Sequence, residues 1–167
     1  MADSIAKLYW DSTAFVAWVK GENGRVDACD SVIRDARESK CLLYTSAISL
    51  AEVFKDSPGQ EPPTAELQQR IRDFFRNDYI KLVMCDRLVG ERARQLLWQF
   101  PFLHPRDAIH VASALQIQVD IVEAYDSRIL RLGQMKIEGF PVFREPQWFG
   151  QAQLPLEEPA PVPRPIA

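Results

Sequence analysis

Cysteine is scarce in this 167-residue chain: three residues, Cys29, Cys41 and Cys85, an odd number with no C-x-x-C spacing. This excludes a disulfide framework as the source of stability and a thiolate zinc site as the chemistry. The thiols read as reduced, packing as small hydrophobes in a cytosolic protein. An excess of one charge is also missing. With 20 basic against 23 acidic residues the net charge is −3, so no global basic field attracts nucleic acid or anionic lipid, and a polyanion needs a local patch. No stretch approaches the roughly 18 uninterrupted apolar residues of a membrane span. The opening MADSIAKLYWDS lacks a basic segment followed by an apolar core, so a cytoplasmic protein without membrane contact is expected. G-x-x-x-x-G-K-[ST], G-x-G-x-x-G and G-x-S-x-G are all absent, which removes support for nucleotide-dependent and serine hydrolase chemistry.

What is present is a core. At 47% hydrophobic, a chain of this length forms one domain that buries about 70% of the surface its unfolded form exposes. Short apolar runs alternate with helical patterns. Lys7 to Trp10 reads as a strand stopping at Asp11, and residues 12–20 continue at helical spacing. Arg25 to Ser39 is a second helix, Leu42 to Tyr44 a buried strand, and Thr45-Ser46 a cap for a helix from Ala47 to Lys55. In that helix Ala47, Leu50, Ala51 and Phe54 are expected to face the core, with Thr45, Ser49 and Glu52 on a polar stripe opposite. A Pro- and Gly-rich loop (57–63) precedes a charged helix reaching Arg76, then a strand from Ile80 to Met84 and a helix from Arg87 to Phe100 capped by Asp86. Leu88, Ala93, Leu96 and Leu97 are its core-like positions.

His104 to Leu130 then carries a helix headed by Asp107, with Ala108, Val111, Ala112 and Leu115 at i, i+3, i+4 and i+7. A β-prone run from Ile121 to Tyr125 follows and ends at Asp126, and a short helix from Ser127 closes at Gly133. Pro141 to Phe143 is the last apolar run. Five prolines fall within the final seventeen residues, so the domain is expected over 1–148 and a proline-rich tail that does not join the core over 149–167. The alternation predicts an α/β fold: a central, mostly parallel sheet of about four to five strands with helices on both faces.

Ligands of such sheets sit beyond the carboxyl ends of the strands. Asp11 and Asp126 stand at strand ends, and Glu52 and Asp107 in helices that start on the same side. Each acid has an ordinary structural explanation, as a helix cap, a macrodipole partner or a solvated residue. Four acids in one cleft would repel one another, and a cation relieves that repulsion. Oxygen donors without histidine or thiolate select Mg²⁺ or Mn²⁺ over zinc. The chemistry predicted is hydrolysis of a phosphodiester by metal-activated water. Ser12 and Ser127 sit beside two of the acids as helix caps or phosphate contacts, and Arg106, Arg128 and Arg131 could supply the local basic patch. His110 lies in an apolar helical run and reads as a satisfied buried histidine.

The segments LYWDSTAF, TSAISLAEVF, RDAIHVASAL and AYDSRIL, in that order, resemble the PIN domain nucleases, and among them the VapC type ribonuclease toxins. The similarity runs from about Lys7 to Phe143 and departs from the family pattern at Ala124, where many members carry a hydroxyl residue. It implies a PIN-like three-layer sandwich in which Asp11, Glu52, Asp107 and Asp126 bind Mg²⁺ or Mn²⁺ and support cleavage of RNA. It also implies a homodimer and a cognate antitoxin protein that masks the site. Two rival readings stand beside it. One is an idle binding module whose acids receive a partner's arginine or lysine. The other is a phosphatase using Asp11 as nucleophile, for which Thr13 stands where a second acid is needed.

Overall fold

A computed structural model describes residues 5–54, 61–147 and 163–165. In chain order the elements are β1 (Ala6–Trp10), α1 (Ser12–Lys20), α2 (Val26–Arg37), β2 (Cys41–Ser46), α3 (Ser49–Glu52), α4 (Ala65–Phe75), β3 (Ile80–Val83), α5 (Arg87–Gln99), α6 (Pro105–Gln116), β4 (Ile121–Glu123), α7 (Ser127–Gln134) and β5 (Val142–Arg144). The five strands form one sheet in the order β3-β2-β1-β4-β5. Every pairing is parallel, with Leu8 opposite Leu43 on one side and Ile121 on the other. The expected fold class holds, and the sheet is wholly rather than mostly parallel.

Helices cover both faces, which is why the strands are short and nearly continuous in apolar residues. Because side chains alternate along a strand, Leu8 and Trp10 point to one face and Tyr9 to the other. The first face packs with Phe15, Trp18, Ile33 and Phe75 from α1, α2 and α4. The second packs Tyr9 and Val122 with Leu96, Val111 and Ile129 from α5, α6 and α7. Trp10, Trp18 and Phe15 are fully buried, so these aromatics are core.

Strand order places a topological switch between β1 and β4. From β1 the chain moves to β2 and β3 on one side, and only later returns to lay β4 and β5 on the other. A crevice therefore opens at the carboxyl ends of β1 and β4, where open α/β sheets bind ligands. Asp11 directly follows β1 and Asp126 lies three residues beyond β4.

Four local expectations are corrected. Thr45 and Ser46 end β2 instead of capping a helix, and α3 is only four residues long. Its faces are reversed: Ser49 is fully buried, while Leu50 is 48% exposed. Leu88 is exposed at the start of α5. Gly133 lies inside α7 and does not end it; a Cβ there would come within 2.9 Å of Phe143 Cβ, so close packing of α7 on β5 is what the residue permits. Lys55 of the expected helix lies outside the described residues, as does most of the tail. The tail segment that is described does touch the domain. Arg70 donates to the Arg164 carbonyl at 3.1 Å, and the Arg164 guanidinium lies 3.5 Å from Asp30. Among the described residues no helix is long and apolar enough to cross a membrane.

Candidate active site

Asp11, Ser12, Thr13, Glu52, Arg106, Asp107, His110 and Asp126 line one cavity of about 80 Å³ at the β1–β4 crevice. The four acids selected from sequence are thus brought together, with Ser12 and Arg106. Ser127 instead lines an adjoining groove of about 430 Å³, shared with Ser12, Thr13, Arg25, Tyr125 and Asp126. Arg131 stacks over the Phe102 ring at 4.3 Å and is not among the residues lining the cavity.

Each acid is held by its local structure. Asp11 caps α1: its Oδ1 accepts from Ala14 N at 3.2 Å and from the Thr13 hydroxyl at 2.6 Å. Thr13 Oγ1 also accepts from Tyr125 N at 2.9 Å, so one hydroxyl ties the start of α1 to the segment beyond β4. Sequence reading missed that role, whose only sign was a hydroxyl residue two positions after the acid. Ala124 itself is fully buried. Asp126 caps α7, its Oδ1 accepting from Arg128 N at 2.8 Å and Ile129 N at 3.3 Å. Asp107 Oδ2 accepts from His104 N at 3.0 Å in the first turn of α6. The capping explanations therefore hold, and the same geometry that caps the helices turns the carboxylates into the crevice.

Glu52 depends on a different device. His110 Nε2 lies 2.8 Å from Glu52 Oε2, and His110 Nδ1 lies 2.8 Å from the Tyr9 hydroxyl. That hydroxyl accepts from Ser46 N at 3.0 Å. His110 is indeed a buried, satisfied histidine, 2% exposed, but its partner is a site carboxylate. A chain of bonds thus runs from the β2 terminus through β1 and α6 to α3. Burial alone would raise the Glu52 pKa, yet hydrogen bonds from His110 and Ser12 outweigh it and hold the carboxyl below its ordinary value.

Asp11 behaves oppositely. Burial pushes its pKa up to about 6, and the Asp126 charge adds to the rise, against lowering contributions from His110, Thr13 and Ala14. An acid that resists ionisation among other acids is one whose charge a cation would stabilise. The donors suit a hard divalent ion in kind, since Asp11, Glu52, Asp107 and Asp126 offer carboxylate oxygens only. Among the described residues, however, no three His, Cys, Asp or Glu side chains stand as a group ready to hold a metal. Arg128, a candidate phosphate contact, points at two of the acids. Its Nε donates to Asp107 Oδ2 at 2.8 Å and its Nη2 to Asp126 Oδ2 at 2.9 Å.

The PIN domain family model matches residues 8–134, which run from within β1 to the end of α7 and include all of the cavity lining. The chain belongs to the PIN domain family. PIN domains are nucleases, so hydrolysis of nucleic acid is the class of reaction in question. No curated protein matches this PIN domain. Among solved structures it is similar to a crystal structure of VapBC2 from Rickettsia felis bound to a DNA fragment from their promoter, at 13% identity and a TM-score of 0.55. The match covers 83% of this PIN domain chain and 98% of the other. At that identity the likeness is one of fold.

Proposed function

We propose that this PIN domain is an endoribonuclease dependent on Mg²⁺ or Mn²⁺ that acts in the cytoplasm as the toxin of a toxin–antitoxin pair. The observation that carries this reading is the convergence of Asp11, Glu52, Asp107 and Asp126 on one cavity at the switch point of the sheet. These four carboxylates would hold the ion. A bound divalent ion supplies water activation and neutralises charge on the scissile phosphate.

The remaining residues orient that machinery. Thr13 and the α1 backbone fix Asp11, and His110 fixes Glu52. Arg106, on the cavity wall with a side chain 55% exposed, offers a guanidinium to a phosphate oxygen. Ser12 and Ser127 line the path by which the chain of nucleotides would leave the cavity for the adjoining groove. Residues 1–148 form the nuclease domain in this reading and 149–167 a proline-rich appendage. An antitoxin as the masking partner and a homodimer as the working unit belong to this reading, the first supported by the likeness to the VapBC2 complex.

The test is cleavage of RNA containing single-stranded and looped segments by the purified chain with Mg²⁺ or Mn²⁺, compared with EDTA. Asp11→Asn and Asp107→Asn are each expected to slow cleavage by about 100-fold or more, the loss of a direct ligand exceeding that of an outer-shell partner. Variants as fast as the wild type would show that the carboxylate site is wrong. Metal binding without cleavage of any RNA would support the idle binding module.

A further inference from the structure

Arg128 sits at the second position of α7, two residues after Asp126, and its guanidinium spans two acids that belong to different elements. Asp107 comes from the first turn of α6, Asp126 from the β4–α7 junction. The bonds are short, 2.8 Å from Nε to Asp107 Oδ2 and 2.9 Å from Nη2 to Asp126 Oδ2. Asp107 and Asp126 side chains are 5% and 14% exposed, whereas Arg128 is 30% exposed. The arginine is thus the member able to leave. Its backbone is already fixed by the Asp126 cap, so departure needs only rotation of a long side chain toward solvent, with no change in α7.

We propose that Arg128 and a divalent cation compete for Asp107 and Asp126, so that the site neutralises itself with its own guanidinium until a cation displaces it. The inference rests on the reading of these acids as metal ligands. Two facts support competition over a mere brace. Both guanidinium bonds end on the Oδ2 atoms, and Asp126 Oδ1 is already engaged by two backbone N–H groups of α7. Asp126 therefore has one oxygen left to offer, and Arg128 holds it. A guanidinium and a cation that bind the same oxygens lower each other's affinity by one shared factor. The apparent metal affinity falls by the fraction of molecules in which the arginine has moved away.

The experiment is calorimetric titration of the full chain with Mn²⁺, without nucleic acid, for the wild type, Arg128→Gln and Arg128→Lys. Arg128→Gln is expected to bind Mn²⁺ on the order of 10-fold tighter than the wild type or more, since both charge-assisted bonds of the competitor are lost. Arg128→Lys keeps the charge but not the fork and falls between them. Thermal melting guards against a folding artefact. In EDTA Arg128→Gln melts below the wild type, because two acids lose their counter-ion, and saturating Mn²⁺ raises its midpoint by the larger amount. Equal or weaker Mn²⁺ binding by Arg128→Gln, with measurable binding by the wild type, overturns the competition and leaves the metal site standing. No Mn²⁺ binding by any of the folded proteins overturns both.

Discussion

His110 joins Glu52 to Tyr9: its Nε2 lies 2.8 Å from Glu52 Oε2 and its Nδ1 2.8 Å from the Tyr9 hydroxyl. An ionised carboxylate can only accept, so the His110 Nε2–H donates to Glu52. The arrangement fixes the orientation of Glu52 through the packed ring. His110→Leu strands a buried hydroxyl and a half-buried carboxylate, and should cost about 1–3 kcal/mol by urea denaturation. His110→Gln, which keeps one N–H toward Glu52, should recover part of both the stability and the Mn²⁺ affinity. Equal loss in the two variants would mean that ring packing, not the bond to Glu52, is what matters.

The Asp11 carboxyl, pushed up to about 6 by burial, gives a pH dependence of defined sign. An unfolded aspartate titrates near 3.9, so between those values the folded state binds more protons than the unfolded one. Stability is then fully present below about pH 4 and declines as pH rises through 6, by up to about 3 kcal/mol. Asp11→Asn carries no such penalty. In EDTA its stability relative to the wild type should improve by up to that amount between pH 4 and pH 7.5. A difference that stays flat across this range would contradict the desolvation of Asp11.

Glu123 is fully buried beside the crevice, where Trp10 Nε1 donates to it at 2.8 Å and Arg144 donates two bonds at 3.0 and 2.9 Å. Burial raises its pKa, against lowering hydrogen bonds from Trp10 and Arg144. The pair fastens β5, the last strand added, to β4. Arg144→Met leaves a buried charge without its cation and should cost about 3–5 kcal/mol. Adding Glu123→Gln should return a large part of that, which a double-mutant cycle in denaturant would measure. Additive losses would show the two residues to be independent.

Gly133 allows α7 to approach Phe143, and an added Cβ would lie 2.9 Å from Phe143 Cβ and 3.0 Å from its carbonyl oxygen. One contact is to backbone, so the neighbour cannot simply rotate away. Gly133→Ala should therefore destabilise by about 1–3 kcal/mol, despite the better helix propensity of alanine. A neutral or stabilising result in thermal melts would show that β5 yields at no cost.

Sequence alone determined the layered α/β architecture, because hydrophobic periods of about two and 3.6 residues are local properties of the chain. The starts of α1, α5 and α7 were legible for the same reason: Asp11, Asp86 and Asp126 bond to N–H groups two or three residues away. The candidate acids were legible because a carboxylate at a strand end or in a first turn has a predictable direction. α3 was misread, since four residues make little more than one turn and cannot express a period; what decides its faces is the Thr45–Ser49 hydroxyl pair at 2.7 Å against the β2 terminus. Only the tertiary structure could decide the Tyr9–His110–Glu52 chain, the Thr13 tie and the grip of Arg128 on two acids. Tyr9 and His110 stand 101 residues apart and His110 and Glu52 58 apart, and no local pattern encodes such a meeting. Strand order brings them together: by placing β4 against β1, on the side opposite β2, it sets α6 and α7 beside the ends of β1 and α3, and so turns helix-capping acids into one cavity.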